Sequence, residues 1–244
     1  MSTAIDLVSP LPASPSTADL GRWLRRGWTL LRAAPLRGCL LALSPILLEA
    51  LAQAVPVAGI ALSKLLVPLA SAWVLALLHQ RATCGQWRVR DAGRQWWRRL
   101  PALAMLAVAM AALVFGFQML VLMAIAGADQ AWAVAVGDVG AVRLDRWQVA
   151  GMLVSGMLPA LVLLFVPGQV LFSGRSVTAA FGDGMRALVR YRVPALGLVA
   201  SAAPVLALVV WWPPVLVLYL PLWLYVSYAA WKDVFARPGR DRVG

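Results

Sequence analysis

The sequence predicts an all-α membrane protein: six transmembrane helices as three hairpins, each preceded by a cytoplasmic amphipathic helix. Three observations predict it. First, the 244 residues are 62% hydrophobic, with a mean hydropathy of +0.79, and only 13% are charged. A soluble domain is about 45–50% apolar and about 25% charged, so a bilayer is the solvent that accommodates this surface. Second, the net charge of +12 is carried almost entirely by arginine, with lysine only at Lys64 and Lys232, and it is concentrated in segments beside the apolar runs. That is the pattern of topology determinants and anionic-lipid contacts rather than of nucleic-acid binding. Third, one unit is written three times: a basic amphipathic helix, a proline (Pro35, Pro101, Pro194) and a pair of apolar runs.

Residues 1–18 are rich in Pro and Ser and lack the basic start and apolar core of a signal peptide, so they read as a disordered cytoplasmic tail. Residues 19–235 read as a single polytopic membrane domain, and 236–244 as a second cytoplasmic tail. In 20–31, Leu20, Trp23, Leu24, Gly27, Trp28 and Leu31 follow the i, i+3, i+4, i+7, i+8, i+11 spacing of one helical face, with arginines off it. Such a helix suits the headgroup plane. The first span is expected at about 36–54, a tight turn at Pro56, and the second span at about 57–78 with a kink at Pro68.

Residues 81–101 carry six arginines against one acid, Asp91, interleaved with Trp87, Trp96 and Trp97. The same spacing recurs at Val89, Ala92, Gly93, Trp96, Trp97 and Leu100, and Pro101 is expected to end this helix. The third span is read at about 102–126. A loop over 127–146 follows; its three acids and two arginines leave it at −1. Trp132 and Trp147 are expected to seat its ends at the interface. The fourth span, about 147–172, should kink at Pro159 and Pro167. A third stripe runs through Val177, Ala180, Phe181, Gly184, Met185 and Leu188, before spans at about 195–212 and 215–231 that are separated by Pro213-Pro214, the second of them bent or broken near Pro221.

The segments before spans one, three and five and after span six are basic; the other three connections are not. Positive segments stay inside, which places both termini in the cytoplasm. Cys39 and Cys84 then lie near the cytoplasmic side, where thiols stay reduced. The repeat reads either as a true triplication or as shared architecture.

Glu49 and Lys64 are the clear charges within the spans. Counted from the turn at Pro56 they fall at similar depth, so mutual pairing is expected. Two readings stay open: a structural ion pair, or an intramembrane site for an ion or anionic substrate. Gln118, Gln169 and His79 are the other polar residues in or beside the spans. The surface that would contact lipid or a partner is Arg88, Arg90, Arg94, Trp96, Trp97, Arg98 and Arg99. Asp91, Asp183 and Asp233 each have basic neighbours in sequence, which predicts local charge balance.

No phosphate-binding loop, nucleophile elbow or zinc-protease motif is present, and a single histidine with two separated cysteines makes no metal centre. The expectation is no catalytic residues, no metal and no cofactor. The segments GWTLLRAAP and AWKDVF, with GRSVTAAFGDGMRALVRYRVPALG between them, resemble a family of uncharacterised six-helix inner-membrane proteins of proteobacteria. That family is related to the membrane domain found beside some glycerophosphodiester phosphodiesterases. In the closing segment only Asp233 and Phe235 match the family pattern by identity. The resemblance implies membrane location and topology and brings no activity. The function expected is an accessory or scaffold subunit that binds anionic phospholipid or other membrane-protein subunits, and not nucleic acid. The alternative is a small transporter or channel using Glu49 and Lys64.

Overall fold

The computed structural model describes residues 15–55, 59–138 and 140–236, and every regular element among them is helical. The first helix, α1 (Thr17–Arg32), starts where Ser16 and Asp19 form a capping box that satisfies donors at the helix start. The expected tail boundary at residue 18 is therefore too late; the turn at Pro56, residues 1–14 and residues 237–244 lie outside the described residues. Helix α2 (Pro35–Gln53) opens with Pro35, which lacks only an N–H that would have had no partner. Helix α3 (Gly59–Cys84) runs through Pro68 and continues six residues past the expected exit.

The largest correction concerns Pro101. Helix α4 (Val89–Met110) passes through it, then through a π-helical turn (Ala111–Phe115), into α5 (Gly116–Ala126). The basic segment and the third span are one continuous helical rod. Proline removes one intrahelical bond and disfavours helix at the preceding residue, but twelve residues of helix already precede Pro101, and adding it costs less than ending the rod. Pro194 does not act as the break either. It lies in the first turn of α11 (Arg192–Val209), and the chain turns at Tyr191 after α10 (Val177–Arg190).

Two further expectations are revised. The loop over 127–146 contains a helix, α6 (Ala128–Val136), bounded by Gly127 and Gly137 with positive φ. The fourth span is three segments, α7 (Arg146–Ser155), α8 (Met157–Leu163) and α9 (Val166–Phe172). Its breaks fall just upstream of Pro159 and Pro167, so each proline occupies the first turn of a new segment. Helix α12 (Val215–Phe235) begins after Pro213-Pro214 and runs unbroken through Pro221.

Among the described residues, six helical stretches are long and apolar enough to cross a membrane: Pro35–Gln53, Gly59–Cys84, Val89–Ala126, Arg146–Leu163, Arg192–Val209 and Val215–Phe235. Their outward surfaces are hydrocarbon. Leu36, Leu51, Met105, Leu120 and Leu218 are 60 to 73% exposed, an arrangement that only an apolar solvent tolerates. This is a multi-pass helical membrane protein. Exposed Trp132, Trp147 and Trp212 lie around the α6–α7 and α11–α12 connections, residues suited to the membrane–water boundary.

Two clusters form the interior. One joins Trp23, Phe165, Tyr191, Tyr225, Tyr228 and Trp231; the other joins Leu77, Leu103, Leu106, Leu163, Val166 and Val170. Trp23, Gly27 and Leu31 of α1 are buried. A Cβ on Gly27 would lie 2.8 Å from the Val226 backbone nitrogen, so only glycine permits this approach of α1 to α12. The expected headgroup-plane face of α1 is thus largely a protein–protein face, leaving Leu24 and Trp28 partly outward.

Candidate functional site

The ends of α3, α9 and α12, the start of α4, and α1 and α10 meet at one end of the bundle. Arg81 Nη2 donates to the Ala33 carbonyl after α1 (3.4 Å), Arg99 Nη1 to Gly174 O (3.2 Å), and Gln95 Nε2 to Leu171 O (3.3 Å). Gly174 has φ +67 and the Arg99 guanidinium sits where its Cβ would be, so this turn requires glycine twice over. Arg94, Arg98 and Arg99, with His79, Gln95 and Asp91, line an open basin of about 560 Å³. Three guanidinium groups against one carboxylate make it a place for an anion.

The structure therefore groups part of the predicted surface. Arg94, Arg98 and Arg99 share the basin. Arg88 and Arg90 are exposed outside it, with Arg88 3.8 Å from Asp91. Trp96 is partly buried, donates its indole N–H to Leu69 O (3.0 Å) and meets Trp73 edge-on at 6.0 Å, over Gly93. Trp97 is 69% exposed. One tryptophan docks the helix and the other faces outward.

Glu49 and Lys64 are brought together: Lys64 Nζ lies 2.7 Å from Glu49 Oε1, and Gln53 donates to the same oxygen at 3.1 Å. Lys64 also sits 5.7 Å from the Phe115 ring, on the π-helical turn. The ammonium is thus met by a carboxylate and a ring face. Gln118 takes no part in this arrangement; it packs on Gly156, where a Cβ would lie 2.6 Å from its Nε2. Gln169 is buried on α9.

His79 is half-buried among aromatic side chains. Its Nδ1 is 3.0 Å from Tyr228 Oη, its ring stacks on Phe172 at 4.2 Å, and Trp231 approaches edge-on at 6.1 Å. It forms one wall of the basin.

Local charge balance holds for Asp91 and for Asp183, which is bridged by Arg175 at 3.1 Å and by Arg186. Asp233 also has partners far away in sequence. That carboxylate is fully buried on α12 and takes Arg26 Nη1 (2.5 Å), Arg22 Nε (3.3 Å) and the Trp23 indole N–H (3.2 Å), all from α1. These three partners lie 207 to 211 positions away. The one available signal is the i, i+1, i+4 run Arg22, Trp23, Arg26, in which the sequence pattern puts Trp23 on the apolar stripe and both arginines off it.

Comparison with known proteins returns no matching family model, no matching curated protein and no matching solved structure.

Proposed function

We propose that this multi-pass membrane protein is a non-enzymatic accessory subunit of a bacterial inner membrane, with both termini cytoplasmic, and that its basic end binds anionic phospholipid. The observation that carries the reading is the convergence of Arg94, Arg98 and Arg99 in one basin at the end where α1, α4 and α10 gather. Each arginine near an anionic surface contributes about 1 kcal/mol, so the five from Arg88 to Arg99 supply a salt-dependent hold on the inner leaflet. The Glu49–Lys64 contact supports a structural role for that pair: each charge already has its partner, and Gln53 and Phe115 occupy the neighbouring positions.

Purification from native membrane in mild detergent tests this reading. Anionic phospholipid should be enriched over zwitterionic lipid in the purified sample, and lost on raising the salt from about 0.1 M to 1 M, where the Debye length falls from about 10 Å to about 3 Å. A sample with bulk lipid composition, or substrate flux in proteoliposomes containing this protein alone, would overturn it.

A further inference from the structure

We infer that the basic basin is the headgroup end of a site for one anionic glycerophospholipid, whose ester carbonyl and one acyl chain enter the apolar cavity below it. The inference rests on the anionic-lipid reading above and names where a single lipid is held.

Beneath the basin, between α3, α4, α8, α9 and α12, lies a second cavity of about 300 Å³. Its walls are hydrocarbon and aromatic, among them Pro68, Leu75, Leu106, Met110 and Trp223. Phe172 lines both spaces, and the His79–Phe172 stack stands at their junction. Two polar atoms on this cavity's wall, Ser227 Oγ and Trp231 Nε1, are buried without a hydrogen-bond partner among the described residues. An indole N–H can only donate, and a buried donor left unpaired is costly. Gly168 gives the Trp231 ring its position: a Cβ there would lie 2.6 Å from Nε1.

Along each of three helices a polar end gives way inward to hydrocarbon. On α4 the arginines of the basin come first, then Leu103, Leu106 and Met110; from Arg99 to Met110 is roughly 16 Å at 1.5 Å per residue. On α3, His79 is followed inward by Leu75 and Pro68. On α12, Trp231 and Ser227 precede Leu224. Charge, then unpaired donors, then hydrocarbon is the order of phosphodiester, ester carbonyl and acyl chain in a glycerophospholipid. The acceptor that Trp231 lacks is the ester carbonyl. Inorganic phosphate offers only the first of these groups, and a prenyl phosphate has no ester.

The test uses the full chain in detergent and phosphatidylglycerol carrying a diazirine near the end of one acyl chain, with photolabelled residues mapped by mass spectrometry. Saturable labelling is expected at Leu106, Met110 and Leu224, at one lipid per chain. Unlabelled phosphatidylglycerol should compete, its diether analogue about fivefold less well, and inorganic phosphate not at all. Trp231→Phe should weaken labelling by a similar factor while leaving the elution profile monodisperse; if that variant does not fold, the diether competition on the native chain decides. Labelling confined to outward residues such as Met105 and Leu120 would overturn the inference. So would competition by a prenyl phosphate or inorganic phosphate equal to that by phosphatidylglycerol. If labelling is outward only but anionic lipid still co-purifies in a salt-sensitive way, this site fails and the accessory reading stands. If no anionic lipid is retained, both fail.

Discussion

Replacing Asp233 with alanine should loosen the clasp between the two ends of the chain. The carboxylate is fully buried and serves three donors on α1: Arg22, Trp23 and Arg26. Without it the Trp23 indole N–H, on a residue with no exposed surface, has lost its acceptor; an orphaned buried donor costs about 1–3 kcal/mol. The arginine side chains are 34% and 54% exposed, so water takes over much of their solvation, and each lost ion pair is worth about 0.2–1 kcal/mol. The sum is about 3 kcal/mol. For a chain of 244 residues that lowers Tm by about 6–12 °C, measured by thermal unfolding of the detergent-solubilised protein followed by tryptophan fluorescence. Asp233→Asn keeps an acceptor and should fall between alanine and the native chain. Trp23→Phe combined with Asp233→Ala should cost less than the sum of the two, with a coupling of at least about 0.5 kcal/mol, because each removes the same bond. An alanine variant melting within 2 °C of the native chain, roughly the shift of a single kcal/mol or less, would refute the assignment of Asp233 as the α1–α12 clasp.

Other outcomes follow from the same geometry. Gly27→Ala should destabilise by about 1–3 kcal/mol, because the new methyl meets the Val226 backbone and must push α1 off α12; the same melting assay reads it. Glu49→Gln or Lys64→Met alone should each cost about 2 kcal/mol by stranding the partner's charge, whereas the double variant should recover most of that loss. Full recovery of folding together with loss of a transport activity would instead mark the pair as functional. Cys84, exposed at the end of α3, should react with a membrane-impermeant maleimide in inside-out vesicles and not in intact spheroplasts, in a Cys39→Ala background. Labelling from the outer side would invert the proposed topology.

The spans were legible because hydrocarbon length is a property of a continuous stretch of sequence: six apolar runs give six candidate spans. The Glu49–Lys64 contact was legible for a similar reason, since equal distances from a short turn imply equal depth whatever the rest of the fold does. Where proline acts was harder to read. Pro35 and Pro194 sit in first turns where their missing N–H matters little, while Pro101 is carried inside a helix that packing through Leu103, Leu106 and Trp96 holds together. The breaks in the fourth span were read one turn late, because a proline stiffens the start of a new segment rather than the end of the old one. The α1 partners of Asp233 and the Trp231–Ser227 pair were not legible from local spacing. The first depend on contacts across almost the whole chain, and the second on an unpaired donor that only packing reveals.

The central claim is that the arginines at one end of the bundle hold anionic phospholipid. Native mass spectrometry of the full chain titrated with phosphatidylglycerol or phosphatidylcholine tests it most directly, when the native protein is compared with a variant carrying Arg88→Gln, Arg90→Gln, Arg94→Gln, Arg98→Gln and Arg99→Gln. The account predicts preferential phosphatidylglycerol adducts on the native chain and at least a tenfold weaker preference on the variant, with both samples folded. Equal adducts of the two lipids on the native chain, or an unchanged preference on the variant, would contradict it.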